Sequence, residues 1–208
     1  MGEHLTTADG RDMDIAGMSL LETSDAIHKG LLSSEAVTAA LLERIARLDP
    51  LLGAFISVTQ DQALAAAREA DRDIAAGDWR GPLHGVAIGL KDMIDMAGVM
   101  TTGGMDPATG RQAVADATVT ARLRQAGAVL PGKLVTTEAA TFEHHASFRR
   151  PKKSLGSGSL DRRVVQRGGG RGGGRAVSWR NRHRHRWINP YAGGGQWLVR
   201  HHAHLGTR

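Results

Sequence analysis

The sequence predicts an α/β fold with parallel-type central strands over residues 18–152, followed by a disordered Arg/Gly-rich tail over 153–208. Three observations carry this. Short apolar runs alternate with amphipathic segments of about a dozen residues, the pattern of strands joined by helical crossovers. Residues 1–150 hold 14 Lys+Arg against 20 Asp+Glu, a net of −6, whereas residues 151–208 hold 13 Lys+Arg against the single acid Asp161, a net of +12. That second stretch also holds 12 of the 27 Gly and three of the four Trp but almost no hydrophobic periodicity, so it cannot offset its ordering entropy.

Residues 1–17, polar and without a signal-peptide pattern, are expected to be flexible. The first helix is expected from Ser19 to Gly30. Ser19 and Glu22 have capping-box spacing, and Gly30 supplies a left-handed stop. The second helix begins near Ser33 or Ser34, aligns Val37, Leu41, Ile45 and Leu48, and is expected to stop before Pro50, because the residue preceding proline disfavours the helical region. Residues 54–58 read as a short strand. A third helix, from Thr59 boxed with Gln62 to Gly77, follows.

Val86-Ala87-Ile88-Gly89-Leu90 is an unbroken apolar run, as in a strand buried on both faces, with Lys91 and Asp92 at its end. A loop over 101–115 leads to a helix capped by Asp116 with Val119 and Leu123 inward. A second apolar run, Ala128–Leu130, and a helix after Thr136 or Thr137 complete the pattern. Lys91 is the candidate site residue. α/β proteins place chemistry at strand C-terminal ends, and a lysine among Val86, Ile88, Gly89 and Leu90 can be desolvated enough to serve as a base. The other reading is a surface lysine paired with Asp92 or Asp95.

Residues 81–92, Gly-Pro-Leu-His-Gly-Val-Ala-Ile-Gly-Leu-Lys-Asp, with Asp95, Gly98, Thr101-Thr102-Gly103, the 117–129 segment, Gly132-Lys133 and Glu138, resemble the amidase signature family over roughly 18–152. Ala87 departs from the usual proline. Pro131 stands inside an expected strand, which places it at a strand end or bulge. The resemblance implies the N-terminal part of an α/β/α sandwich. It implies hydrolysis of a carboxamide to carboxylate and ammonia by a Ser–cis-Ser–Lys triad, with Lys91 as the base, a small-molecule amide as substrate and no cofactor or metal. It also implies a cytoplasmic location and allows a homodimer in the intact family member. An aminotransfer role beside a partner enzyme, as in a component of a tRNA-dependent glutamine amidotransferase, stays open.

The family's Gly-Gly-Ser-Ser loop and Thr-Asp-Thr-Gly-Gly-Ser segment, which bear the bridging and nucleophilic serines, do not follow in the written chain. They emerge when the reading shifts by one nucleotide. With suitable synonymous codons, residues 183–191 become Thr-Asp-Thr-Gly-Gly-Ser-Ile-Arg, residues 162–167 can give Gly-Gly-Ser-Ser-Ser-Gly, and residues 153–156 can give Asn-Pro-Trp-Asp. Trp187 has a single codon, so with Ile188 next its shifted codon must be glycine. Three landmarks in order and in one frame point to an out-of-frame translation from about Lys153. The expectation is an inactive chain that carries one member of the triad and lacks both serines.

The rival reading is a basic RNA-binding protein. Arg167–Arg175 alternates arginine with glycine, and Trp179, Trp187 and Trp197 could stack on unpaired bases. The charge of the tail attracts polyanions whatever its origin, so no specific nucleic-acid partner is expected. His183, His185, His201, His202 and His204 lack neighbouring carboxylates and suit adventitious metal binding better than a site. His144 and His145 read as surface or substrate-channel residues. The absence of cysteine removes disulfide frameworks and cysteine nucleophiles, and no apolar run approaches the roughly 18 residues that span a bilayer.

Overall fold

The computed structural model describes residues 4–141 and 143–152. The elements run β1 (His4–Thr6), β2 (Asp12–Asp14), α1 (Leu20–His28), α2 (Ser34–Leu52), β3 (Phe55–Val58), α3 (Gln60–Ala75), β4 (Leu90–Lys91), β5 (Met100–Thr101), β6 (Arg111–Gln112), α4 (Thr118–Gln125) and β7 (Gly132–Leu134). The expectations for the basic tail, namely disorder, shifted reading frame, RNA binding and histidine-bound metal, fall on 153–208 and lie outside the described residues.

The central sheet has the order β3-β7-β4. β4 runs parallel to β7, and a parallel bridge between Ala87 and Val129 extends their pairing backwards. β3 joins the other edge of β7 in antiparallel fashion, with a register shift between Phe55 and Ser57. The expected strand over 86–90 is therefore a bridge at Ala87 followed by β4. The second expected strand, 128–130, is a bridge at Val129 followed, beyond Pro131, by β7. Pro131 lies immediately before β7, and its carbonyl accepts from the Thr59 N–H at 2.9 Å, so its missing donor interrupts no ladder bond.

Side-chain alternation along β4 and β7 sorts the core into layers. Ala87 and Val129 face α2 and α3, where they meet Leu42, Ile45, Ala63 and Ala67. On the other face Leu90 and Leu130 pack with Met96, Val99 and Leu123 of α4. Helices thus cover both faces of a mixed sheet, the α/β/α arrangement. A third cluster, Met18, Ala26, Ile27, Leu32, Val37 and Val86, joins α1 to the start of the 86–91 segment. Residues 4–14, in the arm expected to be flexible, pair as the β1–β2 hairpin, and Leu5, Met13 and Ile15 pack on that cluster.

Local chemistry explains where the helices begin and end. The Ser19–Glu22 capping box forms, with the Glu22 N–H donating to Ser19 Oγ at 3.3 Å and the Ser19 N–H to Glu22 Oε2 at 2.6 Å. The first N–H groups of α2 are met from across the fold, because Ser34 N and Glu35 N donate to the two Asp71 carboxylate oxygens at 2.6 and 2.9 Å. This carboxylate satisfies two open donors and clasps α2 to α3.

Five expectations are corrected. α2 runs through Pro50 to Leu52; Asp49 is held helical because its carbonyl accepts from Gly53 N–H and its carboxylate from the N–H groups of Ala54 and Phe55, which outweighs the pre-proline restriction. The Thr59–Gln62 box does not form, since the Thr59 hydroxyl donates instead to the Leu130 carbonyl at 3.0 Å. Asp116 does not cap α4. It accepts from Ala97 N and Arg124 Nε, and the inward pair is Thr120 with Leu123, leaving Val119 exposed, because Thr120 Oγ1 donates to the Asp95 carbonyl at 2.6 Å. After Thr137 there is only a 3-10 turn, Glu138–Ala140, with Ala139 and Ala140 at positive φ and the Ala139 N–H donating to Gly103 O. The expected loop over 101–115 also contains structure, pairing β5 with β6.

Candidate active site

Lys91 ends β4 and is half-buried. In the parallel register Lys91 lies beside Leu134 and Leu90 beside Lys133, so the two lysines project from opposite faces of the sheet. Gly89, two residues before Lys91, makes room for Leu134. A Cβ there would stand 3.0 Å from Leu134 Cγ. Backbone bonds fix the end of the strand: Asp92 N–H donates to Leu134 O at 2.9 Å and Ile94 N–H to Lys91 O at 2.9 Å.

Neither carboxylate expected beside Lys91 is its partner. Asp95 pairs with Arg111, whose guanidinium hydrogen bond holds the Asp95 carboxyl below the usual carboxylate range. Asp92 pairs with Lys133, Nζ to Oδ1 at 3.2 Å, and both side chains are wholly buried. Among the described residues Lys91 Nζ takes part in no ion pair or hydrogen bond.

The Lys133–Asp92 pair is the centre of a polar knot that sequence reasoning misses. Lys133 Nζ also donates to Thr101 Oγ1 at 2.8 Å and to Met100 O at 3.4 Å. Asp92 Oδ2 accepts from the Thr102 N–H at 3.1 Å and from the Thr102 hydroxyl. Gly104 N–H reaches Thr102 Oγ1 at 3.1 Å, and a Cβ on Gly104 would lie 2.6 Å from the Thr137 carbonyl oxygen, so this loop packs directly on the segment after β7. The one signal in the sequence is the presence of Thr101-Thr102-Gly103 and Gly132-Lys133 among the motif residues. Their mutual pairing requires the sheet register.

The Thr102 hydroxyl, committed to Asp92, is no free nucleophile. The described residues therefore present one lysine amine at a strand end that makes no ion pair and no hydrogen bond among them.

His144 and His145 are not brought to Lys91 by any contact among the described residues. His144 is half-buried, and burial lowers its imidazole pKa; its Nδ1 has no hydrogen-bond partner among the described residues. His145 Nδ1 accepts from Ser147 N–H at 3.2 Å, and Glu143 pairs with Arg150 at 2.9 Å. A cavity of about 160 Å³, lined by Glu69, Asp73, Arg80, His84, Arg124 and Gly127 among others, lies at the opposite, N-terminal end of the parallel strands. Among the described residues no cluster of His, Asp or Glu could hold a metal ion, and no helix is long and apolar enough to cross a membrane.

Comparison with known proteins identifies relatives of this chain. The protein AmiD of Mycobacterium tuberculosis (strain ATCC 25618 / H37Rv) is 45% identical over 137 residues, 66% of this chain and 29% of AmiD. A glutamyl-tRNA(Gln) amidotransferase subunit of Geobacter sulfurreducens is 44% identical over 128 residues, 62% of this chain and 26% of that protein. The native peptide amidase of Stenotrophomonas maltophilia superposes with a TM-score of 0.55 at 40% identity, covering 58% of this chain and 25% of that enzyme. The chain thus spans less than a third of the length of these relatives. The sequence model of the family named Amidase matches residues 36–150, more than half of the chain, and with the α/β/α core and the Lys91 strand end inside that match, the chain belongs to the amidase family.

Proposed function

We propose that the enzyme to which residues 18–152 belong hydrolyses a carboxamide to carboxylate and ammonia, with Lys91 as its base. The observation that carries this is the position of Lys91, at the C-terminal end of β4, the strand that pairs in parallel with β7, with no counter-ion among the described residues. A neutral lysine amine takes a proton from a bridging serine, which takes one from the nucleophilic serine. The resulting alkoxide attacks the amide carbon and the proton returns to the departing nitrogen, releasing ammonia. Water then cleaves the acyl-enzyme. Family membership supports amide hydrolysis, and the structural relative from Stenotrophomonas maltophilia is named a peptide amidase.

The same proposal holds that the written chain is inactive, because residues from about Lys153 onward are translated out of frame and the two serines are lost. Support comes from the three landmarks in the shifted frame and from the family match, which stops at residue 150. A second reading, delivery of ammonia to a partner enzyme, is favoured by the relatives that belong to glutamyl-tRNA(Gln) amidotransferases. The test is ammonia release from a panel of simple carboxamides and glutamine. The chain as written should release none. The frame-restored protein should release ammonia, and Lys91→Ala should reduce that rate by about 10³-fold or more, the scale of losing a catalytic base. Turnover by the written chain, or an active restored Lys91→Ala variant, overturns the assignment.

A further inference from the structure

We propose that the cavity at the N-terminal end of the parallel strands is a second binding site, which takes a small uncharged carboxamide between His84 and Glu69. The cavity is walled by α3 through Glu69 and Asp73, by α4 through Arg124, and by the turn that carries Arg80 and His84. Its volume of about 160 Å³ is several times the roughly 30 Å³ that one water occupies in the liquid, so a molecule the size of acetamide fits. The inference draws nothing from Lys91 and stands whether or not that amine is a base.

His84 supplies the donor. Its side chain is wholly buried, yet Nε2 has no hydrogen-bond partner among the described residues, and Asp73 Oδ2 stands 3.8 Å away, beyond hydrogen-bond reach. Burial lowers the imidazole pKa, which keeps the ring neutral at pH 7. Its Nδ1 accepts from the Arg80 N–H at 3.1 Å, so the one ring proton sits on Nε2. An Nε2–H has no lone pair for a metal ion and calls for an acceptor. Gly127 leaves this donor uncovered, since a Cβ there would stand 2.8 Å from Nε2.

The charged groups of the wall select what that acceptor belongs to. Arg80 pairs with Asp73 and Arg124 with Asp116, the latter at 2.9 Å, so both guanidinium charges are already met. The exposed Glu69 carboxylate makes no ion pair or hydrogen bond among the described residues. An anion could accept from His84 but would be repelled by Glu69. An ammonium ion could pair with Glu69 but offers no acceptor to Nε2–H. A carboxamide meets both groups without net charge, its carbonyl oxygen accepting from His84 and its NH2 donating to Glu69.

The test needs no turnover. Acetamide is titrated into the full 208-residue chain and followed by proton–nitrogen correlation NMR at the His84 imidazole and the Gly127 amide. Saturable shifts with a Kd on the order of millimolar are expected for so small a ligand. Acetate and ethylammonium, of nearly the same size, should each bind at least about tenfold more weakly, because each forgoes one of the two contacts. Glu69→Ala, at an exposed position, should weaken acetamide about tenfold and narrow its advantage over acetate. His84→Phe, which keeps a ring without the donor, should abolish the Gly127 shift, and the Glu69→Ala arm stands even if that variant fails to fold. Shifts that never saturate, meaning a cavity that holds water only, overturn the proposal. So do acetate binding as tightly as acetamide and acetamide binding unchanged in Glu69→Ala.

Discussion

Gly127 offers the sharpest test of how the two parallel strands are aligned. It follows α4 at φ 77° and sits against His84, which is wholly buried; a Cβ added at Gly127 would lie 2.1 Å from His84 Cδ2. The imidazole borders the cavity but is tethered, because its Nδ1 accepts from the Arg80 N–H at 3.1 Å, and Gly85 N–H fixes the Gly127 backbone by donating to its carbonyl at 2.9 Å. Gly77, which follows α3 at φ 90° with nothing within 4 Å of its added Cβ, is the matched control. Gly77→Ala incurs only the left-handed backbone cost, about 1–2 kcal/mol. Gly127→Ala adds an overpacking cost of roughly 1–3 kcal/mol, for about 2–5 kcal/mol in all. Urea titration followed by far-ultraviolet circular dichroism measures both. If Gly127→Ala is no more destabilising than Gly77→Ala, His84 is not rigidly wedged under the 127 turn and the reasoning is wrong.

Other predictions follow from the same contacts. Burial lowers the His84 pKa, so the unfolded chain binds more protons than the fold as pH falls below about 6.5. Stability from neutral His84 is therefore present above that pH and lost below it, by up to about 1.4 kcal/mol per pH unit while the difference persists. Thermal melts at pH 7.5 and 5.5 should show this loss, and His84→Asn, less stable at pH 7.5, should show a smaller pH difference; an equal difference in both proteins would remove His84 as its source. Ser34→Ala deletes a buried hydroxyl that donates to the Gly85 carbonyl at 2.7 Å and should cost about 1–3 kcal/mol in urea titration. Asp71→Ala unclasps the start of α2 and should cost about 1–2 kcal/mol by the same titration, whereas a cost near zero would mean that the two N–H groups are met equally well by water.

How far the fold is legible depends on whether the deciding contact is local in sequence. The Ser19–Glu22 box and the parallel pairing around Ala87 and Val129 follow from spacing and apolar runs alone. Thr59 also has box spacing, yet its hydroxyl is taken by Leu130, a carbonyl 71 residues away that only the folded sheet presents. Pro50 misleads for a related reason: the turn that holds Asp49 helical is built from residues after the proline. Val119 has the right chemistry and the wrong phase, since a short helix takes its orientation from the Thr120–Asp95 bond rather than from its own apolar stripe. The place of Lys91 at the end of a strand is legible from the apolar run before it. The Lys133–Asp92 knot is not, because a buried lysine paired across strands leaves no periodic trace. The tail is the converse case: its charge of +12 is plain in the sequence, whereas the out-of-frame origin proposed for it would be written only in the codons.

The nucleotide sequence across codon 152 tests the central claim most directly, that an amidase segment bearing Lys91 is joined to an out-of-frame tail. Restoring a single base there should open a continuous frame that encodes Gly-Gly-Ser-Ser at codons 162–167 and Thr-Asp-Thr-Gly-Gly-Ser at codons 183–189, supplying the two serines that Lys91 lacks. A shifted frame interrupted by stop codons, or one without those two segments, contradicts the account.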